Sequence, residues 1–212
     1  MCKIAIILLL VSASSHVNSH GRLWRPLNRS SVWRDPAFAS FNLPQNYDDM
    51  QLWCGSVHQP DNPGMICGVC GDPLSQVQPR DNEIGGRWYR GIITERYTAG
   101  SVIEIEVQIT AAHSGFMEFR LCTNPQSGET QACFNQHLLQ RADGQGSRVP
   151  VDRGAGWYNT RFRLPIGVRC DHCVIQWNYR AGNDWGLCPN GTGALGCGPQ
   201  ETFRGCADVS IS

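Results

Sequence analysis

The sequence predicts an all-β protein, on three observations. Several short runs alternate apolar and polar residues, turn residues separate these runs, and long amphipathic helical patterns are missing. Alternation with period two is typical of strands that bury one face. Together these features favour an antiparallel β-sandwich of the immunoglobulin or fibronectin kind, with short helices and a large loop region held by disulfides.

The strand pattern is clearest at residues 101–110, where four branched aliphatic side chains alternate with polar ones. Ile and Val at every second position predict a half-buried strand, because successive side chains of a strand point to opposite faces. The same alternation predicts further strands at 117–121, 158–164, 175–179 and 207–211.

The segment from residue 33 to residue 90 shows little periodicity and is rich in Gly, Pro, Asn and Cys. A stretch of this length without regular structure is unusual in a compact domain unless it is cross-linked and functional. We interpret it as a large loop region at one end of the sandwich, held by Cys54, Cys67 and Cys70. A short helix is expected at 134–141.

The cysteines predict disulfides. The chain has 11 cysteines, and ten remain once Cys2 leaves with the leader described below. Two Cys-x-x-Cys pairs, Cys67/Cys70 and Cys170/Cys173, raise a zinc site as the alternative, but about a hundred residues separate them, unlike a compact zinc ribbon. The sequence leaves the pairing open, with Cys122–Cys133 as the most local guess. The ten are Cys54, Cys67, Cys70, Cys122, Cys133, Cys170, Cys173, Cys188, Cys197 and Cys206.

The amino terminus has the pattern of a secretory signal. A lysine near the start precedes an apolar run at residues 4–11, and small polar residues follow. Cleavage after Ser19 would remove residues 1–19 and make His20 the first residue of the mature protein. A free α-amine and an imidazole on one residue form a metal chelate.

A second cleavage site, at residues 13–15, would instead expose His16. With the cut after Ser19, the mature protein is one domain over residues 20–212, and we expect it to be secreted and monomeric. Two sequons, at Asn28 and Asn190, are candidate N-glycosylation sites in a eukaryotic secretory pathway.

The charge balance argues against several classes of partner. Lys plus Arg and Asp plus Glu both number 18, which gives no case for nucleic acid or an anionic membrane. The apolar run near the start is too short to span a bilayer. No pair of carboxylates has the arrangement expected of a glycoside hydrolase.

His113 follows the strand at 101–110 directly. Alone, a histidine there is more often structural than a ligand, but functional groups are often placed where a strand ends. Paired with His20, it would complete a set of three nitrogens, which suits Cu(II). The other mature histidines lack ligand-like spacing and are expected to be structural or exposed: His58, His137 and His172.

Four segments are distinctive in combination: HGRLWRP at 20–26, CGVCGD at 67–72, AAH at 111–113 and GPQETFRGCAD at 198–208. Together they resemble the lytic polysaccharide monooxygenases, specifically the animal branch known as auxiliary activity family fifteen. The resemblance covers essentially the whole mature chain. It also favours cleavage after Ser19.

The resemblance implies a copper-binding histidine brace formed by His20 and His113. It implies the axial position for Phe203, which would otherwise be read as a core aromatic. It places Ala111 near the open face of the copper and makes Gln176 a candidate for contact with bound oxygen, although a buried structural Gln is an equal alternative.

The implied activity is oxidative cleavage of a β-1,4-linked polysaccharide, chitin or cellulose, with electrons from a small-molecule or protein reductant and O2 or H2O2 as co-substrate. Two alternatives remain: a non-catalytic chitin- or cellulose-binding protein, and a copper-binding protein without turnover. The intact pair of His20 and His113 argues against the first, since a binding module has no use for a metal chelate.

Overall fold

The computed structural model describes residues 20–54 and 67–212 and confirms the predicted sandwich. Two antiparallel sheets pack face to face, and the few helices are short. The strands are β1 His20–Arg25, β2 Glu95–Tyr97, β3 Val102–Ala111, β4 Phe116–Cys122, β5 Gln140–Arg141, β6 Val149–Pro150, β7 Gly156–Arg163, β8 Cys170–Arg180, β9 Trp185–Leu187, β10 Gly193–Leu195 and β11 Thr202–Ile211.

The first sheet has the strand order β1-β3-β7-β5 and the second the order β2-β11-β8-β4-β6. Among the described strands, only the pairing of β2 with β11 is parallel. A separate hairpin, β9 with β10, extends beyond the second sheet. All five predicted strands are present, in β3, β4, β7, β8 and β11, and the short ones were not predicted.

The core lies between the sheets and follows the predicted alternation. Ile103, Ile105, Val107 and Ile109 of β3 are all buried. They face the inner side of β8, where Trp177 is one of the largest buried side chains. Burial of large apolar side chains contributes roughly 1.5–3 kcal/mol each, so this layer is the main source of stability.

The outer face of the five-stranded sheet is also buried, but it carries charge. The Arg29 guanidinium donates to both carboxylate oxygens of Asp208 at 2.7 Å and to Glu129 at 2.7 Å. His172 Nε2 lies 2.7 Å from Asp208, so this histidine has a structural partner. We call these four residues the charged layer.

Charge pairing decides the protonation of this layer. Burial alone would raise the pKa of Asp208, but hydrogen bonds and charge from Arg29, with help from His172, outweigh burial and hold that pKa below its usual range. Burial would likewise lower the pKa of Arg29, and its two carboxylate partners raise it instead. The pair is therefore ionised in the folded protein.

All ten cysteines of residues 20–212 form disulfides in the structure. The pairs are Cys54–Cys67, Cys70–Cys206, Cys122–Cys133, Cys170–Cys173 and Cys188–Cys197. The two halves of the first Cys-x-x-Cys pair thus belong to different disulfides, which removes the zinc alternative. Glu129 lies close to the Cys70–Cys206 sulfurs, but its carboxylate is engaged by Arg29 and the sulfurs are bonded to each other.

Two sequence-based expectations need correction or limits. The short helix lies at Gln131–Phe134, not at 134–141, because the Thr130 side chain caps it by accepting from the Cys133 N–H, and residues 140–141 instead pair with β7. In the 33–90 segment, the described residues form loops and 3-10 turns, including the 3-10 helix Pro36–Phe41. Two further 3-10 helices are described elsewhere: Arg29–Arg34, which leads into this segment, and Pro125–Ser127, which follows β4.

The leader proposed at residues 1–19 and His58 lie outside the described residues. No helix within 20–54 or 67–212 is both long enough and apolar enough to cross a membrane.

Candidate metal centre

The first residue of β1 lies beside the end of β3. His20 pairs with Ala111, and the register shifts between His20 and Gly21. Glycine suits this shift, because a Cβ on Gly21 would stand 2.8 Å from the Ile109 side chain and 3.0 Å from the Gln108 carbonyl oxygen. The Gly21 N–H donates to the Met50 carbonyl at 2.9 Å, which ties the strand to the long loop. The α-nitrogen and ring of His20 are thereby brought to the end of β3.

His113 stands two residues beyond Ala111, at the start of a tight turn. Ser114 and Gly115 have φ angles of 51° and 82°, and a Cβ on Gly115 would stand 2.1 Å from the Arg180 carbonyl. Only glycine fits this close approach. The turn therefore presses His113 against the end of β8.

Tyr179 of β8 holds the backbone at this turn. Its hydroxyl accepts from the His113 N–H at 3.0 Å and donates to the Ser114 carbonyl at 2.8 Å. The hydroxyl thus accepts one hydrogen bond and donates another at this turn. The position of His113 therefore depends on Tyr179, a buried side chain of the core.

The polar contacts of the His113 ring fall on Nδ1. This nitrogen lies 3.2 Å from Oε2 of Glu201 and 3.1 Å from the side-chain nitrogen of Asn183. The neighbouring Gly182 N–H donates to the His113 carbonyl at 2.8 Å. A carboxylate on one ring nitrogen is the usual way in which a metal-binding histidine is oriented, and it leaves Nε2 for the metal.

Phe203 is buried between the sheets and also belongs to this region. It lies opposite Tyr179 in the pairing of β11 with β8, and the two rings stack with centroids 5.8 Å apart. The Tyr179 hydroxyl contacts the His113 backbone and the Tyr179 ring stacks on Phe203, so Tyr179 connects Phe203 to the candidate site. Its side chain offers no oxygen ligand to a metal.

Gln176 does not reach this region. It lies three residues before Tyr179 on β8 and therefore points to the outer face of the sheet. There its amide nitrogen donates to the Val69 carbonyl at 2.7 Å and contacts Gln131. The structure thus corrects the expectation for Gln176 and supports the structural alternative.

Glu201 is the carboxylate that sequence reasoning missed. It is mostly buried, and its contact with His113 joins residues 88 positions apart. A carboxylate two residues before Phe203 was the available signal, because both side chains then project from the same face of β11 or its extension.

The two sequons differ in the folded protein. Asn28 is 1% exposed, and its side-chain oxygen accepts from the Ser30 N–H as a helix cap, so a glycan has no room there. The Asn28 prediction is corrected on this ground. Asn190 is exposed in the turn between β9 and β10 and stays a predicted acceptor.

The donor set fits copper. The α-amine and ring of His20 with Nε2 of His113 offer three nitrogens, and Cu(II) prefers tetragonal nitrogen and oxygen fields. The described residues near the turn add an aromatic ring and one carboxylate, which stands on the far nitrogen of the imidazole.

The model of the family described as lytic polysaccharide mono-oxygenase, cellulose-degrading, matches residues 20–209. The solved structure of a lytic polysaccharide monooxygenase AA15 from Thermobia domestica in the Cu(I) state is 47% identical, with a TM-score of 0.84, covering 91% of this chain and 98% of that one. The fold, the site and these matches define a copper-dependent polysaccharide monooxygenase. The chain belongs to the lytic polysaccharide monooxygenase family, and its resemblance to auxiliary activity family fifteen is confirmed.

Two more distant structures are similar to it. A chitin binding domain from Burkholderia pseudomallei is 12% identical, with a TM-score of 0.46, over 92% of this chain and 100% of that one. The cellulose-active monooxygenase CelS2 in complex with copper is 18% identical, with a TM-score of 0.47, over 90% and 98%. No curated protein sequence matches the chain.

Proposed function

We propose that the mature protein is secreted and cleaves β-1,4-linked chains of chitin or cellulose oxidatively, with electrons from an external donor and O2 or H2O2 as co-substrate. His20 and His113 hold the copper. One observation carries the proposal: the pairing of His20 with Ala111 brings the first mature residue to the strand that leads into His113.

His20 acts only after the leader has been removed. In the precursor its nitrogen is a peptide amide, whereas cleavage after Ser19 creates an α-amine with a pKa near 8. Loss of that proton costs little at neutral pH, so the amine and the ring of one residue become two ligands.

His113 supplies the third nitrogen, and its neighbours position it. Glu201 and Asn183 contact Nδ1, and Tyr179 fixes the backbone, so Nε2 would be the nitrogen that binds the metal. Copper bound there would supply the redox chemistry. Phe203 would present an aromatic ring without an oxygen donor to copper held there, and the small side chain of Ala111 would leave room for a co-substrate.

One experiment tests the proposed activity and also shows whether the enzyme acts on chitin or on cellulose. Mature protein with a verified N-terminal His20, loaded with Cu(II) and supplied with ascorbate, is incubated with β-chitin or with cellulose. Mass spectrometry of the soluble fraction is expected to show oxidised oligosaccharides from at least one polymer. Tight copper binding with no oxidised product from either would favour a copper-binding protein without turnover, and polymer binding without copper binding would favour a binding module.

Two variants test the ligands by isothermal titration with Cu(II). His113→Ala is expected to lower copper affinity by more than about 100-fold, since even outer-shell partners of a metal ligand contribute 10–100-fold. One residue added before His20 should be as damaging, because it turns the amine into an amide. His137→Ala is the control and should bind copper as the wild type does. Unchanged affinity in His113→Ala or in the extended protein contradicts the brace.

A further inference from the structure

The β9–β10 hairpin begins next to the candidate metal centre. Gly182 and Asn183 contact His113, and Trp185 opens β9 two residues later. Two residues of extended chain span at most about 7 Å, so the start of the hairpin stays close to His113.

The hairpin is fixed at its base. Gln200 is buried, and its amide accepts from the Asp184 N–H at 3.0 Å and donates to the Asp184 carbonyl at 2.9 Å. The Cys188–Cys197 disulfide closes the hairpin beyond this clamp. Both constraints lower the entropy that the hairpin would lose on binding a ligand.

A half-buried cation adds a third constraint. The Arg180 guanidinium, at the end of β8, donates to the Gly196 carbonyl at 3.1 Å and to the Gly198 carbonyl at 2.6 Å. The chain that follows β10 is thus attached to the end of β8. The same end of β8 packs against the turn that follows His113. Hydrogen bonds therefore connect both ends of the hairpin to the elements that hold His113.

One face of this hairpin is apolar and open to solvent. Trp185, Leu187 and Leu195 are 67%, 65% and 70% exposed. Trp185 and Leu187 share a face because they are two residues apart, and Leu195 lies directly opposite Trp185. Exposed apolar side chains grouped in this way indicate a binding surface.

The Trp185 indole lies flat on the hairpin. A Cβ on Gly193 would stand 2.1 Å from Cζ2 of Trp185, so the ring covers the place where a side chain would be. One face of the indole therefore rests on the Gly193 backbone, and the other is turned to solvent. This is a preformed aromatic platform.

We propose that this platform binds the polysaccharide chain, with the Trp185 ring stacked on the C–H face of a pyranose unit beside the copper. The assignment rests on the proposed function. An equatorially substituted β-1,4 chain presents flat apolar ring faces, and a rigid aromatic face gains most from covering such a surface.

Charge and area argue against other occupants. Between residues 182 and 198 the only charged side chain is Asp184, so the hairpin lacks the cations that an anionic membrane or nucleic acid would require. Three side chains cover far less than the roughly 1,000 Å² that a specific protein interface needs. The platform also begins two residues after Asn183, which contacts His113.

The test compares two exposed tryptophans. Trp185→Ala and Trp157→Ala are made in the mature, copper-loaded protein with Asn190→Gln as background, which removes any glycan from the hairpin turn. Trp157 lies on the outer side of β7 and is 49% exposed. Binding isotherms on β-chitin and on cellulose are expected to show about tenfold weaker binding for Trp185→Ala, a smaller loss for Trp185→Tyr, and less than a twofold change for Trp157→Ala.

Other readouts keep the outcomes apart. The Cu(II) spectrum should be the same in both variants, which shows that the metal site is intact. Equal binding by Trp185→Ala and Trp157→Ala overturns the platform, and so does a wild-type protein that binds neither polymer. A wild-type dimer in sedimentation that Trp185→Ala dissociates would assign the surface to a second copy. Absence of oxidised products with the stacking effect intact would overturn the proposed function alone.

Discussion

The two faces of the five-stranded sheet are both buried but by different means. The inner face packs Ile175, Trp177 and Tyr179 of β8 against the other sheet. The outer face carries the charged layer and a disulfide beneath loops from distant parts of the chain. Burial of apolar surface stabilises the inner face. Ion pairs and a disulfide stabilise the outer face, and a buried ion pair stabilises the fold only while both partners are present.

The difference is also one of sequence distance. Alternation within β8 suffices to define the inner face, whereas Arg29 meets Asp208 across 179 positions. The inner face extends to the candidate copper site through Tyr179 and Phe203. The outer face supports the sheet from behind and takes no part in that site.

The largest effect is expected from breaking the charged layer. Arg29→Met removes the cation that two buried carboxylates share and should lower the free energy of unfolding by about 3–5 kcal/mol, measured by urea denaturation. Phe119→Ala on the inner face should cost a similar amount, about 3–5 kcal/mol, through a cavity.

A double-mutant cycle distinguishes the two mechanisms. Adding Asp208→Asn to Arg29→Met should recover part of the loss, whereas adding it to Phe119→Ala should be additive. Arg25→Ala, which breaks an exposed pair with Glu95, is the control and should cost less than about 1 kcal/mol. Additivity in both combinations would show that the charged layer does not act as a unit.

The next effect concerns the cross-link on the outer face. Replacing Cys70 and Cys206 together by Ala removes a disulfide that joins residues 136 positions apart. We expect a loss of about 2–5 kcal/mol in thermal or urea unfolding. The double replacement Cys170→Ala and Cys173→Ala removes a disulfide that closes a loop of sequence separation 3, so it should cost less. A larger loss for the short loop would contradict this view.

A smaller effect is expected where the inner face meets the site. Tyr179→Phe removes the hydroxyl that serves His113 and Ser114 and should cost about 1–3 kcal/mol, because two backbone groups lose a partner. It should also change the Cu(II) electron paramagnetic resonance spectrum. Tyr158→Phe, which removes another buried hydroxyl on β7, is the control and should leave that spectrum unchanged. Identical spectra for Tyr179→Phe and wild type would show that this hydroxyl does not position the ligand.

The smallest effect is a pH dependence confined to the outer face. The pKa of Asp208 is lowered on folding, so its contribution to stability is present above the unfolded value near 3.9 and is lost as the pH falls through the folded value. Asp72 behaves in the opposite way: burial raises its pKa, although hydrogen bonds from Asn82 oppose this, so its contribution falls as the pH rises through the raised value.

Unfolding free energies measured from pH 3 to pH 7 test this assignment. Asp208→Asn should flatten the acid limb of the curve, and Asp72→Asn should steepen the gain toward neutral pH. Phe119→Ala should shift the curve without changing its shape. A change of shape in Phe119→Ala would place titrating groups on the inner face.

The sequence predicted the sandwich, the five longer strands and the pair of candidate copper ligands. It did so because alternation is local and because His20 and His113 stand at recognisable positions, after a leader and after a strand. It missed β1, whose short run does not alternate cleanly, and the β9–β10 hairpin, whose residues look like turns.

What the sequence determined by itself is therefore the pattern of each longer strand, the ten cysteines of residues 20–212 and the residues that can chelate copper. Only the tertiary structure decided that Glu201 meets His113, that Gln176 points away from it, and that Asn28 is closed to a glycan. The physical reason is register. A strand's own residues fix which side chains alternate, but its pairing partners fix which face meets which distant residue.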